Sequence, residues 1–271
     1  MTLRATTLMA AVLLAGPALA QEVPAHSQFD GVLVHVRHDG LVDYAALRAD
    51  RATLDAYIAQ LGAADSLALA AASRDVRLAF WINAYNACAL LLVVDHYPIK
   101  KRGFPTSLVR SLQGVPGNSI RQIRDTWDRR FCSVAGKARS LDEIEHRIIR
   151  PMGEPRIHFA VNCASRSCPA LATRAYRADS LDQQLDQAVR RFVADDRHLR
   201  LVRGDEPPTL LVNAVLDWYG ADFGGRDGVR EFLLTYLGPE DARLVRQRGV
   251  VIEFLPYDWT LNDTAVFGAA P

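Results

Sequence analysis

Residues able to do chemistry concentrate at a few points of this 271-residue chain. The densest is residues 157–169, Ile-His-Phe-Ala-Val-Asn-Cys-Ala-Ser-Arg-Ser-Cys-Pro. Cys163 is the most nucleophilic type available there. A cysteine attacks a carbonyl as its thiolate, which a nearby histidine or a helix N-terminus stabilises. If the turn after Cys163 opens a helical segment, free backbone amides would lie near the sulfur and could hold an oxyanion. Asn162 and Ser165 would add further hydrogen bonds. That chemistry is thiol-dependent hydrolysis or acyl transfer. The competing reading is a Cys163–Cys168 disulfide that closes a tight polar loop and leaves no nucleophile.

Two histidines are candidate bases. His146 lies on the helix expected just upstream; its neighbour Glu145 points away from it, because adjacent helical residues diverge. His158 lies in the apolar run 157–161, which predicts a short buried strand. Alternation along a strand would put His158 and Asn162 on one face and Cys163 on the other. His146 is therefore the first choice of base and His158 the second. Further polar groups interrupt apolar surroundings. Asn83 and Asn86, three apart, share a helix face beside Tyr85; they either line a cleft or hydrogen-bond irregular backbone. Asp222 within residues 217–223, and Asp258 with Trp259 within residues 257–262, pair acids with aromatics, as in a cleft wall or a buried polar network.

The elements that must position these groups follow from periodicity. Ser27 is a candidate cap for a first helix bearing Phe29, Val32, Leu33 and Val36. A second runs on from Tyr44 with Leu47, Leu54, Tyr57, Ile58 and Leu61. Ser73 can cap the longest helix, residues 74–96, which is apolar on nearly every side and so central and buried; Tyr97-Pro98 stops it. Residues 99–126 read as irregular. Trp127 to Val134 contains a strand, and Ser140 with Glu143 forms a capping box. Ser180 caps a later helix, and short strands are expected at 198–202, 209–212 and 250–255. The fold class is α+β: one helix-rich domain with a small, mainly antiparallel sheet around a buried central helix.

Composition limits the function. The chain is 49% hydrophobic and 23% charged with a net charge of +1, which disfavours nucleic acid as a partner. Residues 1–20, with Arg4, a short apolar run and an Ala-Leu-Ala end, read as a signal peptide, leaving residues 21–271 as the mature domain with no membrane anchor. A periplasmic or secreted location follows, where four cysteines invite disulfides. Cys88 on the central helix reads as a buried small hydrophobe, and Cys132 has three candidate partners. The Cys-x4-Cys spacing matches no standard zinc site, and nothing calls for a cofactor.

Taken together, residues 80–87 (Phe-Trp-Ile-Asn-Ala-Tyr-Asn-Ala), 140–146, 157–169, Trp218-Tyr219 with Asp222-Phe223, Tyr257-Asp258-Trp259 with Leu261-Asn262, and Val42-Asp43-Tyr44 resemble the family known as domain of unknown function 547. The resemblance covers about residues 28–262. It implies an exported bacterial member of a family also found in plants, and no particular reaction. It also implies that a Cys163–Cys168 bond is no requirement of the fold, since plant relatives often carry serine at the second position. The first reading is a thiol-dependent hydrolase or acyltransferase with Cys163 as nucleophile; the alternative is a non-catalytic binding or structural module whose polar motifs and Cys163–Cys168 disulfide order a cleft for a small molecule or peptide.

Overall fold

The computed structural model describes residues 23–100, 114–204, 206–247 and 249–267. The leader expected at residues 1–20 lies outside them, as does much of the irregular stretch after residue 100. The organising element is α5, Arg74–His96. Ser73 Oγ accepts the Val76 N–H at 3.3 Å, which caps its start, and Asp75 sits favourably in the first turn. Every residue from Leu78 to Val94 is buried. The helix is long and apolar enough to cross a membrane, but 94% of its apolar window is buried inside the protein. Each large apolar side chain so covered contributes about 1.5–3 kcal/mol.

Four short helices precede α5: α1 Ser27–Leu33, α2 Tyr44–Ala49, α3 Arg51–Ala63 and α4 Ser66–Ala71. The single helix expected after Tyr44 is divided, because Asp50 leaves the helical region at ψ 35°. Asp43 and Asp65 cap α2 and α4 by accepting backbone N–H groups. Ser27 does not cap α1; the chain enters it through His26 in a left-handed conformation. Phe29 of α1 stacks on Tyr57 of α3 at 4.8 Å.

Strands β1 (Cys132–Val134) and β2 (Lys137–Arg139) pair antiparallel. Ala135 and Gly136 turn between them, both at positive φ, as a two-residue hairpin loop requires. Cys132 bonds to Cys88 of α5, with S–S 1.99 Å. Cys88 is thus fully buried, as expected, but as half of a disulfide rather than as a free apolar side chain.

Next comes α6, Glu143–Ile149, a π-helical turn. Ser140 Oγ caps it by accepting the Glu143 N–H at 3.1 Å. The reciprocal half of the expected capping box does not form, because the Glu143 carboxylate is taken by Arg139 and Arg130. A 3₁₀ turn at Arg150–Met152 follows.

The run 157–161 is not a strand. Pro155–Phe159 is a 3₁₀ helix with proline in its first turn, and Glu154 caps it by accepting the Arg156 N–H at 3.2 Å. Short buried apolar runs do not distinguish strand from helix, and here Pro155 and Glu154 decide it. The alternation that separated His158 from Cys163 therefore does not exist.

The chain continues through α7 (Leu181–Val193), β3 (Leu199–Val202), β4 (Thr209–Asn213), α8 (Val215–Trp218), α9 (Gly225–Leu234), α10 (Pro239–Val245), β5 (Val251–Leu255) and α11 (Thr264–Phe267). The sheet order is β3–β4–β5, with β3 antiparallel and β5 parallel to β4. Two buried clusters form. One surrounds α5; the other joins Phe192, Leu210, Val212, Leu233 and Val245. The 3₁₀ segment links them, since Ile157 belongs to the first and Phe159 to the second. The architecture is α+β, helix-rich, around a buried central helix.

Candidate functional site

The site is built outward from the two α5 asparagines. Asn83 grips the backbone of Tyr176: its Nδ2 donates to the carbonyl at 2.8 Å, and its Oδ1 accepts the N–H at 2.9 Å. Asn86 does the same one turn further along. Its Nδ2 donates to Ala160 O and its Oδ1 accepts from Asn162 N, both at 2.9 Å. Both amides are buried and satisfied by irregular backbone, which suits polar groups in an apolar helix. They belong to a network, and neither lines a cleft.

Asn86 thereby fixes the start of the cysteine loop. Asn162 continues the network: its Oδ1 accepts from Ala164 N at 2.8 Å and its Nδ2 donates to Pro169 O at 2.8 Å. Ala164 is held at φ 57°, a left-handed position that a non-glycine residue occupies at some cost. The C-terminal segment then pairs with the loop. Arg166 N donates to Thr260 O at 2.7 Å, and Asp258 N donates to Ser167 Oγ at 2.9 Å. Asn262 ties this segment to the N-terminal part of the chain, accepting from the Tyr44 hydroxyl at 2.8 Å. The Val-Asp-Tyr and Leu-Asn motifs, far apart in sequence, meet here.

Cys163 and Cys168 stand at bonding distance, with S–S 2.39 Å. Cys163 N–H also points at Cys168 Sγ at 2.8 Å. The Oγ of Ser165 and the hydroxyl of Tyr257 each lie 3.2 Å from Cys163 Sγ and 2.8 Å from each other. Cys163 thus has hydroxyl neighbours, and no histidine is among its hydrogen-bond partners.

Both cysteines line a cleft of about 500 Å³, a size that suits a small ligand. Trp127, Trp218, Tyr219, Tyr257 and Trp259 form much of its wall. Trp218 stacks on Trp259 at 5.7 Å and lies 4.7 Å from Tyr257. Trp218 is 47% exposed, which is unusual for so large an apolar ring. The charged lining comes from Asp128, Asp142 and Glu145. Glu145 is buried and accepts a 2.6 Å hydrogen bond from the Tyr219 hydroxyl. Burial pushes the Tyr219 phenol well above its ordinary range, and the nearby Glu145 charge adds to this. Tyr85, also in the lining, is pushed up by its burial, with the Glu145 charge adding to this.

His146 and His158 both line this cleft. His146 is at its exposed edge, with Nδ1 3.0 Å from an Arg150 guanidinium nitrogen and Nε2 3.5 Å from Asp142. His158 is buried behind Tyr219, on which it stacks at 4.0 Å. Its Nε2 donates to Asp222 at 2.7 Å, while Nδ1 is buried with no partner in the protein. Burial lowers the His158 pKa, and the Asp222 bond opposes that without overcoming it. Asp222 is itself held at about 2 by a two-pronged Arg150 hydrogen bond, both arms 2.7 Å, with His158 adding to the effect.

Of the residues singled out from sequence, the cleft gathers Cys163, Cys168, His146, His158, Tyr85 and Trp259. Asn83, Asn86, Asn162, Ser165 and Asp222 stand behind its wall as the supporting network. Asp258 is exposed and shapes a turn, accepting from Thr260 N at 2.9 Å. Sequence reasoning weighed Glu145 only as a partner for His146, and passed over Asp128 and Asp142. Glu145 had a usable signal: it lies four residues before the buried Ile149, on the inward face of α6. Among the described residues, no group of three or more His, Cys, Asp or Glu could hold a metal ion.

Residues 69–193 match the family model described as "Protein of unknown function, DUF547". The chain carries a domain of that family, and the matched span contains α5, α6 and the cysteine loop. No curated protein and no solved structure matches the chain.

Proposed function

We propose that this protein is a small-molecule binding module whose cleft is ordered by the Cys163–Cys168 bond. The observation that carries the reading is the cleft itself: about 500 Å³, walled by stacked aromatic rings, with both sulfurs in its lining. A buried polar network locks that wall from behind, which is how a binding site is preorganised. Two cysteine pairs at bonding distance support an oxidising compartment, hence a periplasmic or secreted location. Fragment screening by NMR on indole N–H signals tests the binding reading. Bound fragments should move the signals of Trp127, Trp218 and Trp259 and leave that of Trp81, buried in α5, in place. A library that moves none of the three, or moves all four alike, would reject it.

One observation favours a second reading. Cys163 Sγ opens on the cleft with two hydroxyl groups at 3.2 Å. Reduced, it would be a thiol-dependent hydrolase or acyltransferase nucleophile, with His158 or His146 as base. After mild reduction, an electrophilic amide should then label Cys163 ahead of Cys168, and Ser165→Ala should slow the labelling. Equal or absent labelling removes this reading.

A further inference from the structure

We infer that the cleft selects an organic cation: a single positive charge on an apolar or aromatic body. The inference rests on the binding reading above and adds the ligand's chemistry. Three facts converge. First, the described residues of the lining include three carboxylates, those of Asp128, Asp142 and Glu145, and no lysine or arginine. An anion would meet more carboxylates than cationic groups in the lining, and a neutral ligand would leave them unused.

Second, the wall is made of the surfaces that attract cations. Trp218, Tyr257 and Trp259 lie within 4.6–5.7 Å of one another, and clustered electron-rich faces bind ammonium groups. The chain already uses this attraction at the cleft margins: the Arg121 guanidinium sits 4.9 Å over Trp259, and that of Arg150 sits 5.1 Å over Tyr219. Both arginines lie outside the lining.

Third, the hydrogen-bonding groups around Glu145 lean towards acceptance. The Tyr219 hydroxyl spends its hydrogen on Glu145. His158 spends its Nε2 hydrogen on Asp222 and so donates nothing to the cleft. The Glu145 end of the cleft therefore offers carboxylate and phenol oxygens as acceptors, and an ammonium or guanidinium supplies the donors. The volume accommodates one ring or a short chain beside the charged head.

Three probes of equal shape test this: phenethylammonium, phenethyl alcohol and 3-phenylpropionate, titrated into the intact protein by calorimetry and tryptophan fluorescence. The cation should bind at least tenfold more tightly than the alcohol, and the carboxylate should bind most weakly. Added salt should weaken the cation only. Glu145→Gln should remove most of the cation's advantage. Because Glu145 is buried, Asp142→Asn at the exposed rim serves as a second variant and should reduce it severalfold. Equal binding of cation and alcohol, or tighter binding of the carboxylate, overturns the cation assignment and leaves the binding module standing. If no probe binds and the fragment screen is also silent, both fall.

Discussion

Asn86 is the single side chain on which the placement of the cysteine loop depends most. Replacing it with alanine strands two backbone groups inside the protein, Ala160 O and Asn162 N, each held at 2.9 Å by the amide. Asn86 is 2% exposed, so water cannot take over either bond in place. A buried group left unpaired costs about 1–3 kcal/mol. Two such groups give an expected loss of about 3 kcal/mol, or roughly a hundredfold in the folded-to-unfolded ratio. For a chain of this size that corresponds to about 6–12 °C in Tm. Asn86→Asp separates the two bonds. Its carboxylate still accepts from Asn162 N but has no hydrogen for Ala160 O. Urea unfolding followed by circular dichroism is the assay, with the midpoint falling and the slope unchanged. A loss under about 1 kcal/mol for Asn86→Ala would refute the claim that this amide carries the loop.

Other outcomes are expected from the same geometry. Breaking Cys88–Cys132, whose cysteines are 44 residues apart, should cost about 4 kcal/mol by loop entropy, against about 2 kcal/mol for the five-residue separation of Cys163–Cys168; the two Cys→Ser double variants compared by thermal melting check the order. His26 and His198 are buried and each lowered to about 4 by that burial. Their contribution is complete above the unfolded value near pH 6.5. It is lost as pH falls from there towards 4, by up to about 3 kcal/mol each, and changes no further below. Unfolding midpoints measured from pH 7.5 to 4.5 should fall accordingly, and a flat profile contradicts this. Asp222 acts in a different window: its contribution is present above the ordinary carboxylate value of 3.8 and is lost as pH falls from there through about 2. Gly40→Ala should destabilise, because Gly40 sits at φ +81° and an added Cβ would come within 2.7 Å of the Ala170 Cβ; differential scanning fluorimetry reads the shift.

Helix α5 was legible from sequence because its signals agree: a serine cap, apolar residues on nearly every side and a Tyr-Pro stop all point to residues 74–96. The 3₁₀ segment at Pro155–Phe159 was not, because five apolar-flanked residues carry no period long enough to tell helix from strand, and the decisive Pro155 and Glu154 lie just before the run. That one misreading also separated His158 from Cys163, which the fold places on one cleft. The asparagine pair was readable as buried polar groups needing partners, but the partners, Tyr176 and Ala160–Asn162, lie more than seventy residues away. The acidic lining was hidden for a related reason. Asp128, Asp142 and Glu145 look like ordinary surface charges until Trp218, Tyr257 and Trp259 arrive from the far end of the chain to close the wall opposite them.

Whether the cleft is ordered by a Cys163–Cys168 bond is decided by counting thiols on the native protein. Protein purified without reductant is alkylated, unfolded, alkylated again with a heavier reagent, and mapped by peptide mass spectrometry. A Cys163–Cys168 bond leaves neither cysteine alkylated by either reagent and yields a linked peptide spanning the two. A Cys163 thiol that takes the first reagent in the folded protein would contradict it and return the cysteine to the role of nucleophile.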